Sequence, residues 1–167
     1  EEAVRLAKHW GADEVLARRA GILHDCTKYW ELEPHLEICD KYGVELDELE
    51  RKAVKLLHSK SGACIAKEIF GEPDEVFDAI FWHTTGKADM TLLEKILYMA
   101  DYIEPNRDFE GVEELRALAY TDLDKAMLTG IEETIEDMQT RGNPIHRNTK
   151  QAHAWFRDRG VNLTKDA

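Results

Sequence analysis

Cysteine is scarce in this chain and never clustered. Cys26, Cys39 and Cys64 form no C-x-x-C pair. They read as ordinary reduced thiols of a cytosolic protein, not as a disulfide framework or a thiolate metal site. Long apolar runs are missing too: no stretch of about 18 such residues occurs, which excludes an ordinary transmembrane helix. No signal peptide is visible. Basic residues are outnumbered, 22 against 34 acidic ones, for a net charge of −12. Such a surface repels duplex nucleic acid and anionic membranes. No clean period-2 strand, internal repeat, low-complexity tract or long linker is present.

What remains is a chain of 167 residues, 43% hydrophobic and 34% charged. That is enough to bury a core without staples. Helix signals dominate. Gly11 ends a first helical run, and Asp13 caps a second carrying Val15, Leu16, Ala20, Ile22 and Leu23. Pro34 opens a short helix through Cys39, and Asp47 starts one carrying Leu49, Ala53, Val54 and Leu57. Cys64, Ile65, Ile69 and Phe70 form a further stripe, and Asp74 caps the next. Thr91 and Glu94 make a capping box for a helix through Ala100. Helices are expected over 115–128 and 131–138, and a last one over 149–157 after a break at Gly142-Asn143-Pro144. The expected fold class is all-α, a helical bundle with short connections.

Charge is uneven along the chain. Positions 104–137 carry 11 acids and 3 bases, whereas 141–160 carry 5 bases and one acid. The basic stretch reads either as a site for a small anion or as a solvated helix face.

Polar residues interrupt the apolar stripes at telling places. His24-Asp25 follows Ala20-Gly21-Ile22-Leu23, His58 follows Leu56-Leu57, His83 follows Ile80-Phe81-Trp82, and Asp101 continues a stripe from Leu93 and Leu97. Singly, each has a plain explanation: a helix-terminal polar pair, a hydrogen-bonded core histidine, a paired carboxylate. Together they sit on helices separated by 33, 25 and 18 positions, about one helical hairpin each. A bundle can bring such residues to one interior point, as metal-binding bundles do. A donor set of nitrogen and oxygen without thiolate suits iron or manganese better than structural zinc.

The order His-Asp…His…His…Asp resembles the HD superfamily of metal-dependent phosphohydrolases. Longer stretches resemble its YqeK-like family, the symmetrical bis(5'-nucleosyl)-tetraphosphatases. These are Ala20-Gly21-Ile22-Leu23-His24-Asp25 with Lys28, His58 with Gly62-Ala63, Ala79-Ile80 with His83-Thr84-Thr85-Gly86, Tyr98 to Pro105 with Arg107, and Ile145-His146 with Thr149. The family pattern also has a metal-binding His on a helix before the position of Glu1. It often has Arg-Asn where this chain has His153-Ala154.

The resemblance implies a single HD domain over 1–167 with its N-terminal helix cut short. It implies a cytoplasmic enzyme that hydrolyses diadenosine tetraphosphate to two ADP. Metal ligands would be His24, Asp25 and Asp101, with His58 and His83 either completing a second metal position or hydrogen-bonding phosphate. Catalytic roles fall to Asp25, Lys28, His58 and His83. Nucleotide contacts fall to Thr84, Thr85, Lys87, Arg107, Ile145, His146 and Thr149. Iron, mono- or dinuclear, is the expected metal, with manganese or another divalent ion as the alternative.

Plain readings stand beside these. Lys28 reads equally as a snorkelled surface lysine, Thr84-Thr85-Gly86 as a turn, and the Pro144–Thr149 segment as a helix entry capped by Asn148 or Thr149. Exposed Tyr29 and Trp30 suit a homodimer patch, a lid or the core. The competing functions are an HD phosphohydrolase acting on mono-, tri- or cyclic nucleotides, a nucleotide-binding domain with a decayed site, and a purely structural helical partner.

Overall fold

The computed structural model describes residues 1–163. Their elements are α1 (Glu2–Trp10), α2 (Glu14–Leu23), α3 (Leu32–Lys41), a 3-10 turn (Glu50–Lys52), α4 (Val54–Glu68), α5 (Asp74–Phe81), α6 (Leu92–Ile103), α7 (Val112–Ala119), α8 (Leu123–Thr140) and α9 (Arg147–Asp158). The fold is all-helical, as the patterning predicts. None of the described helices is long and apolar enough to cross a membrane.

The centre is α6, which packs on α1, α2, α5, α7 and α8. Its sequence explains why: Ile96, Leu97, Tyr98, Met99, Ala100 and Ile103 are all buried, so apolar residues cover most of its circumference and every side needs a neighbour. The Thr91–Glu94 capping box is formed. Asp13 caps α2 by accepting from the amides of Val15 and Leu16 at 2.9 and 3.0 Å. The chain leaves α1 through Gly11 at φ 80°, a left-handed turn that glycine enters without strain.

Several boundaries differ from the sequence reading. Asp47 does make the expected capping contacts, exchanging bonds with Glu50 at 2.8 and 2.9 Å. They close only a 3-10 turn, and extended Ala53 (φ −121°) intervenes before α4. The next expected stripe, from Cys64, belongs to that same α4, which runs unbroken past Gly62. The helix expected over 115–128 is split, because Asp122 caps a new start by accepting from the Lys125 amide at 3.0 Å. No break follows Leu128: α8 continues through Gly130. The last helix starts at Arg147, with His146 as its N-cap instead of Asn148 or Thr149. Val15, Ile22, Ile69 and Phe70, read as core stripe, are exposed.

Cys39 and Cys64 are buried. Burial pushes their thiols up to about 12 and about 11 respectively, so they stay protonated and inert. Tyr29 is exposed, whereas Trp30 is half-buried beside His35. In the basic stretch, Arg141 pairs with Asp137, Arg147 with Asp47, and Arg159 lies over Trp155. Three of the five bases of the stretch therefore have local partners of their own.

One buried polar cluster fastens α9 to the rest. Glu50 is fully buried, and the His146 Nε2–H donates to its carboxylate at 2.6 Å. Lys60, also buried, places Nζ 3.5 Å from the same oxygen and 4.1 Å from the centre of the Phe81 ring. Burial opposes ionisation of Glu50, but the Asp47 amide, His146 and Lys60 outweigh it and hold its carboxyl below the usual range. Glu50→Gln keeps the shape and removes the charge, leaving Lys60 uncompensated. We expect it to lower unfolding free energy by about 3 kcal/mol in urea titration at neutral pH. The deficit should narrow in acid. A carboxyl with a depressed folded pKa contributes stability above its unfolded pKa and loses it as pH falls through the folded one. Equal stability of the two proteins at neutral pH would refute the assignment.

Candidate metal centre

Five of the predicted residues converge. His24 caps the end of α2 and Asp25 follows it, His58 lies in the first turn and a half of α4, His83 follows the end of α5, and Asp101 is in the last turn of α6. Helix α3 intervenes between the first pair and His58, so the ligand-bearing elements are α2, α4, α5 and α6. The packing of α4 on α5 and of α2 and α5 on α6 closes the ring.

Each imidazole is fixed in the same way. Nδ1 of His24, His58 and His83 lies 2.6, 2.8 and 2.5 Å from the carbonyl oxygen three residues earlier, of Gly21, Lys55 and Ile80. A carbonyl only accepts, so each Nδ1 carries the proton. A neutral ring then presents a bare lone pair at Nε2, the orientation that metal-binding histidines adopt.

Those Nε2 atoms face acceptors. His58 Nε2 is 3.2 Å from His83 Nε2, and the two lie 3.4 and 3.7 Å from Asp25 Oδ1. His24 Nε2 is 3.4 Å from Asp25 Oδ2 and 3.2 Å from Asp101 Oδ1. Facing lone pairs at such distances repel unless a proton or a metal ion lies between them. Two donor sets result, Asp25/His58/His83 and His24/Asp25/Asp101. They share Asp25, one oxygen to each. The residues fit one or two cations bound by nitrogen and oxygen.

Electrostatics agree. Burial opposes charge on Asp25, but His58, His83, His24 and Lys28 together hold its carboxyl far below the usual range. Burial likewise opposes charge on Asp101, and His24 and His83 overcome it. Burial would lower the pKa of His24, yet its contacts with Asp101 and Asp25 raise it. The cluster thus keeps two carboxylates ionised and draws positive charge to His24.

A hydroxyl network ties the halves together. Thr27, two residues after Asp25, donates to the His58 carbonyl at 3.0 Å and lies 2.8 Å from the Ser61 hydroxyl, which is 2.7 Å from Nδ1 of buried His35. Sequence reading missed these three, since nothing in their spacing marks them.

The His24, Asp25 and Asp101 side of the centre opens into a cleft of about 610 Å³ lined by Glu1, Glu2, Arg5, Lys28, Glu104 and Arg107, among others. Lys28 Nζ lies 3.4 Å from Asp25 Oδ2 and Arg107 Nη2 3.7 Å from Asp101 Oδ1. Both keep roughly half of the side chain exposed. Arg5 was missed, because only the packing of α1 on α6 brings it here.

The other predicted nucleotide contacts do not line this cleft. Thr85 is buried, and the Thr149 hydroxyl donates to its carbonyl at 2.9 Å. Lys87 faces Glu94 at 3.6 Å. Thr84 is half-buried in the same turn. Ile145 borders a separate surface groove beside Glu132 and Lys150. His146 joins Asp47 and Glu50 in a third group of potential ligands, but Lys60 and Arg147 already neutralise it.

An HD-domain model matches residues 2–106. The chain is 38% identical over 155 residues to a symmetrical bis(5'-nucleosyl)-tetraphosphatase of Bacillus subtilis (strain 168), covering 92% of this chain and 83% of that protein. It is 39% identical over 150 residues to the protein of the same description from Halalkalibacterium halodurans, covering 89% and 80%. A crystal structure from Clostridium acetobutylicum, described as a predicted HD superfamily hydrolase involved in NAD metabolism, superposes with a TM-score of 0.91 at 43% identity. It covers 95% of this chain and 84% of that one.

Because both donor sets share Asp25, Asp25→Asn should weaken metal binding more than His83→Ala, which touches one set. Elemental analysis after dialysis against a graded chelator series should show a loss of affinity of more than about tenfold for the Asn variant. Undiminished metal content in Asp25→Asn would rule out the shared-ligand arrangement.

Proposed function

This chain belongs to the HD-domain family, and we propose that it is a symmetrical bis(5'-nucleosyl)-tetraphosphatase that hydrolyses diadenosine tetraphosphate to two ADP. The observation that carries the reading is Asp25 shared between two donor sets at the floor of a cleft, with Lys28 and Arg107 at its sides. The names of the relatives supply the substrate. The donor chemistry supports iron, with manganese as the alternative, since no cysteine is among the ligands. Three free thiols suit a reducing compartment, in keeping with a cytoplasmic enzyme.

The chemical problem is charge. A polyphosphate chain repels an anionic nucleophile, and this protein carries net −12. A divalent ion held by His24, Asp25 and Asp101, or by Asp25, His58 and His83, would supply a bound water of lowered pKa and neutralise charge at the attacked phosphorus. The chain's own residues do the rest. Nδ1–H bonds to main-chain carbonyls keep the three imidazoles from rotating, so the donors cost little reorganisation. Lys28 and Arg107 are half-exposed cations next to the two carboxylates, placed to bind phosphate oxygens; the planar fork of Arg107 suits two at once. Water oxygen adds to one inner phosphorus, the central bridging oxygen leaves with the other half, and each half departs as ADP.

Thr85, His146 and Thr149 serve the site indirectly in this reading. Through the Thr149–Thr85 bond and the His146–Glu50 pair, α9 steadies the turn that follows His83.

Chromatography of the products from diadenosine tetraphosphate tests the assignment. ADP as the sole nucleotide, formed only with metal and lost on chelation, is expected. AMP with ATP would overturn symmetrical cleavage. Turnover of mononucleotides or cyclic nucleotides in its place would move the chain to another branch of HD phosphohydrolases.

A further inference from the structure

Arg107 stands in an awkward piece of chain. Helix α6 ends at Ile103, and its C-cap, Glu104, has turned to φ −54° and ψ 155° ahead of Pro105. Proline cannot continue the helix. The last carbonyls of α6 are therefore left without helical partners, just where the chain turns to present Arg107 to the cleft.

A residue from another helix takes those carbonyls. Arg116, on α7, donates from Nε to Ile103 O at 2.9 Å, and from Nη2 to Glu104 O at 2.9 Å and to Arg107 O at 2.8 Å. Nη1 pairs with the exposed carboxylate of Glu113. One guanidinium thus holds three main-chain oxygens on both sides of Pro105. Within the clamped stretch, the Arg107 amide donates to Glu104 O at 2.9 Å and the Asn106 amide to the Glu104 carboxylate at 3.0 Å. At the far side, the Arg107 side chain reaches back, Nε donating to Asp101 O at 3.2 Å. The chain of contacts runs without a gap from α7 to the carboxylate-bearing turn of α6. Both arginines lie beyond the stretch, 2–106, that the HD-domain model matches.

We infer that Arg116 is a positioning residue: by clamping the main chain of residues 103–107 it aims Arg107 at the phosphates bound in the cleft. The inference deepens the proposed reaction and rests on it for the identity of the substrate. Arg116 contacts none of the metal-ligand candidates and does not itself line the cleft. Its effect should therefore fall on substrate binding and pass through Arg107. A planar fork is required, since a lysine ammonium keeps the charge near Glu113 but cannot span three diverging oxygens.

The test compares Arg116→Lys, Arg107→Ala and the double variant. Arg116→Lys should raise KM for diadenosine tetraphosphate roughly tenfold with kcat within about twofold, and bound metal should stay at the wild-type level. In the Arg107→Ala background the same change should alter KM by less than about twofold, the mark of coupled residues. Hydrogen exchange at the amides of Asn106 and Arg107 should speed up in Arg116→Lys while the thermal midpoint stays near wild type. Multiplying effects on KM, or a fall in metal content and kcat at unchanged KM, would overturn the inference. So would unchanged exchange at those amides, whatever the substrate. A wild-type protein that exchanges as expected but releases no ADP would instead count against the proposed reaction.

Discussion

The structure depends on one carboxylate. Asp25 offers one oxygen to His58 and His83 and the other to His24, whose second neighbour is Asp101. The two oxygens of a single carboxyl are held a short, fixed distance apart by covalent geometry. Everything brought to them must converge within that span. The end of α2, the start of α4, the turn after α5 and the last turn of α6 are therefore constrained together, and the bundle angles cannot drift without breaking a donor set.

How the protein tolerates this is a matter of main-chain anchoring. Three imidazoles with lone pairs aimed at one another and at carboxylates make an unfavourable cluster until a cation enters. The helix carbonyls at Gly21, Lys55 and Ile80 hold the rings in that arrangement. The buried Thr27–Ser61–His35 chain then locks the Asp25 turn to α4. A second buried cluster, Glu50 with Lys60 and His146, holds the start of α9 against the 3-10 turn and α4. It looks like a ligand set by composition, yet it carries its own cations. The difference between the two clusters is whether the positive charge is built into the chain or must come from outside.

Charge distribution follows the same division. The chain as a whole is strongly acidic, and the cleft sets Arg5, Lys28 and Arg107 among the carboxylates of Glu1, Glu2, Asp25, Asp101 and Glu104. A cation held by those carboxylates is what would turn the cleft toward an anionic ligand. In the basic C-terminal stretch, Arg141, Arg147 and Arg159 lie against Asp137, Asp47 and Trp155, and none of the stretch lines the cleft.

Much of this was legible beforehand, for local reasons. Helix class, the Asp13 and Thr91 caps and the burial of α6 follow from periodicity and capping chemistry within a few residues. The five ligand candidates stood out because each was a polar residue interrupting an apolar stripe. Longer-range facts were not available. The 3-10 turn at Glu50 depends on Lys60 and His146, 10 and 96 positions away. The exposure of Ile22 and Phe70 depends on which helix faces are left uncovered once α2 and α4 have packed. His146, Thr149 and Thr85 matched a nucleotide-contacting pattern, and only the tertiary structure shows them buried, with His146 bonded to Glu50 and Thr149 to the Thr85 carbonyl. Arg116 carried no signal, since a guanidinium binding distant carbonyls looks in sequence like any surface arginine. The sequence by itself determined the helices and the chemical character of the site. The tertiary structure alone decided which oxygen meets which nitrogen and which cations face the cleft, because those distances are set by packing between segments far apart in the chain.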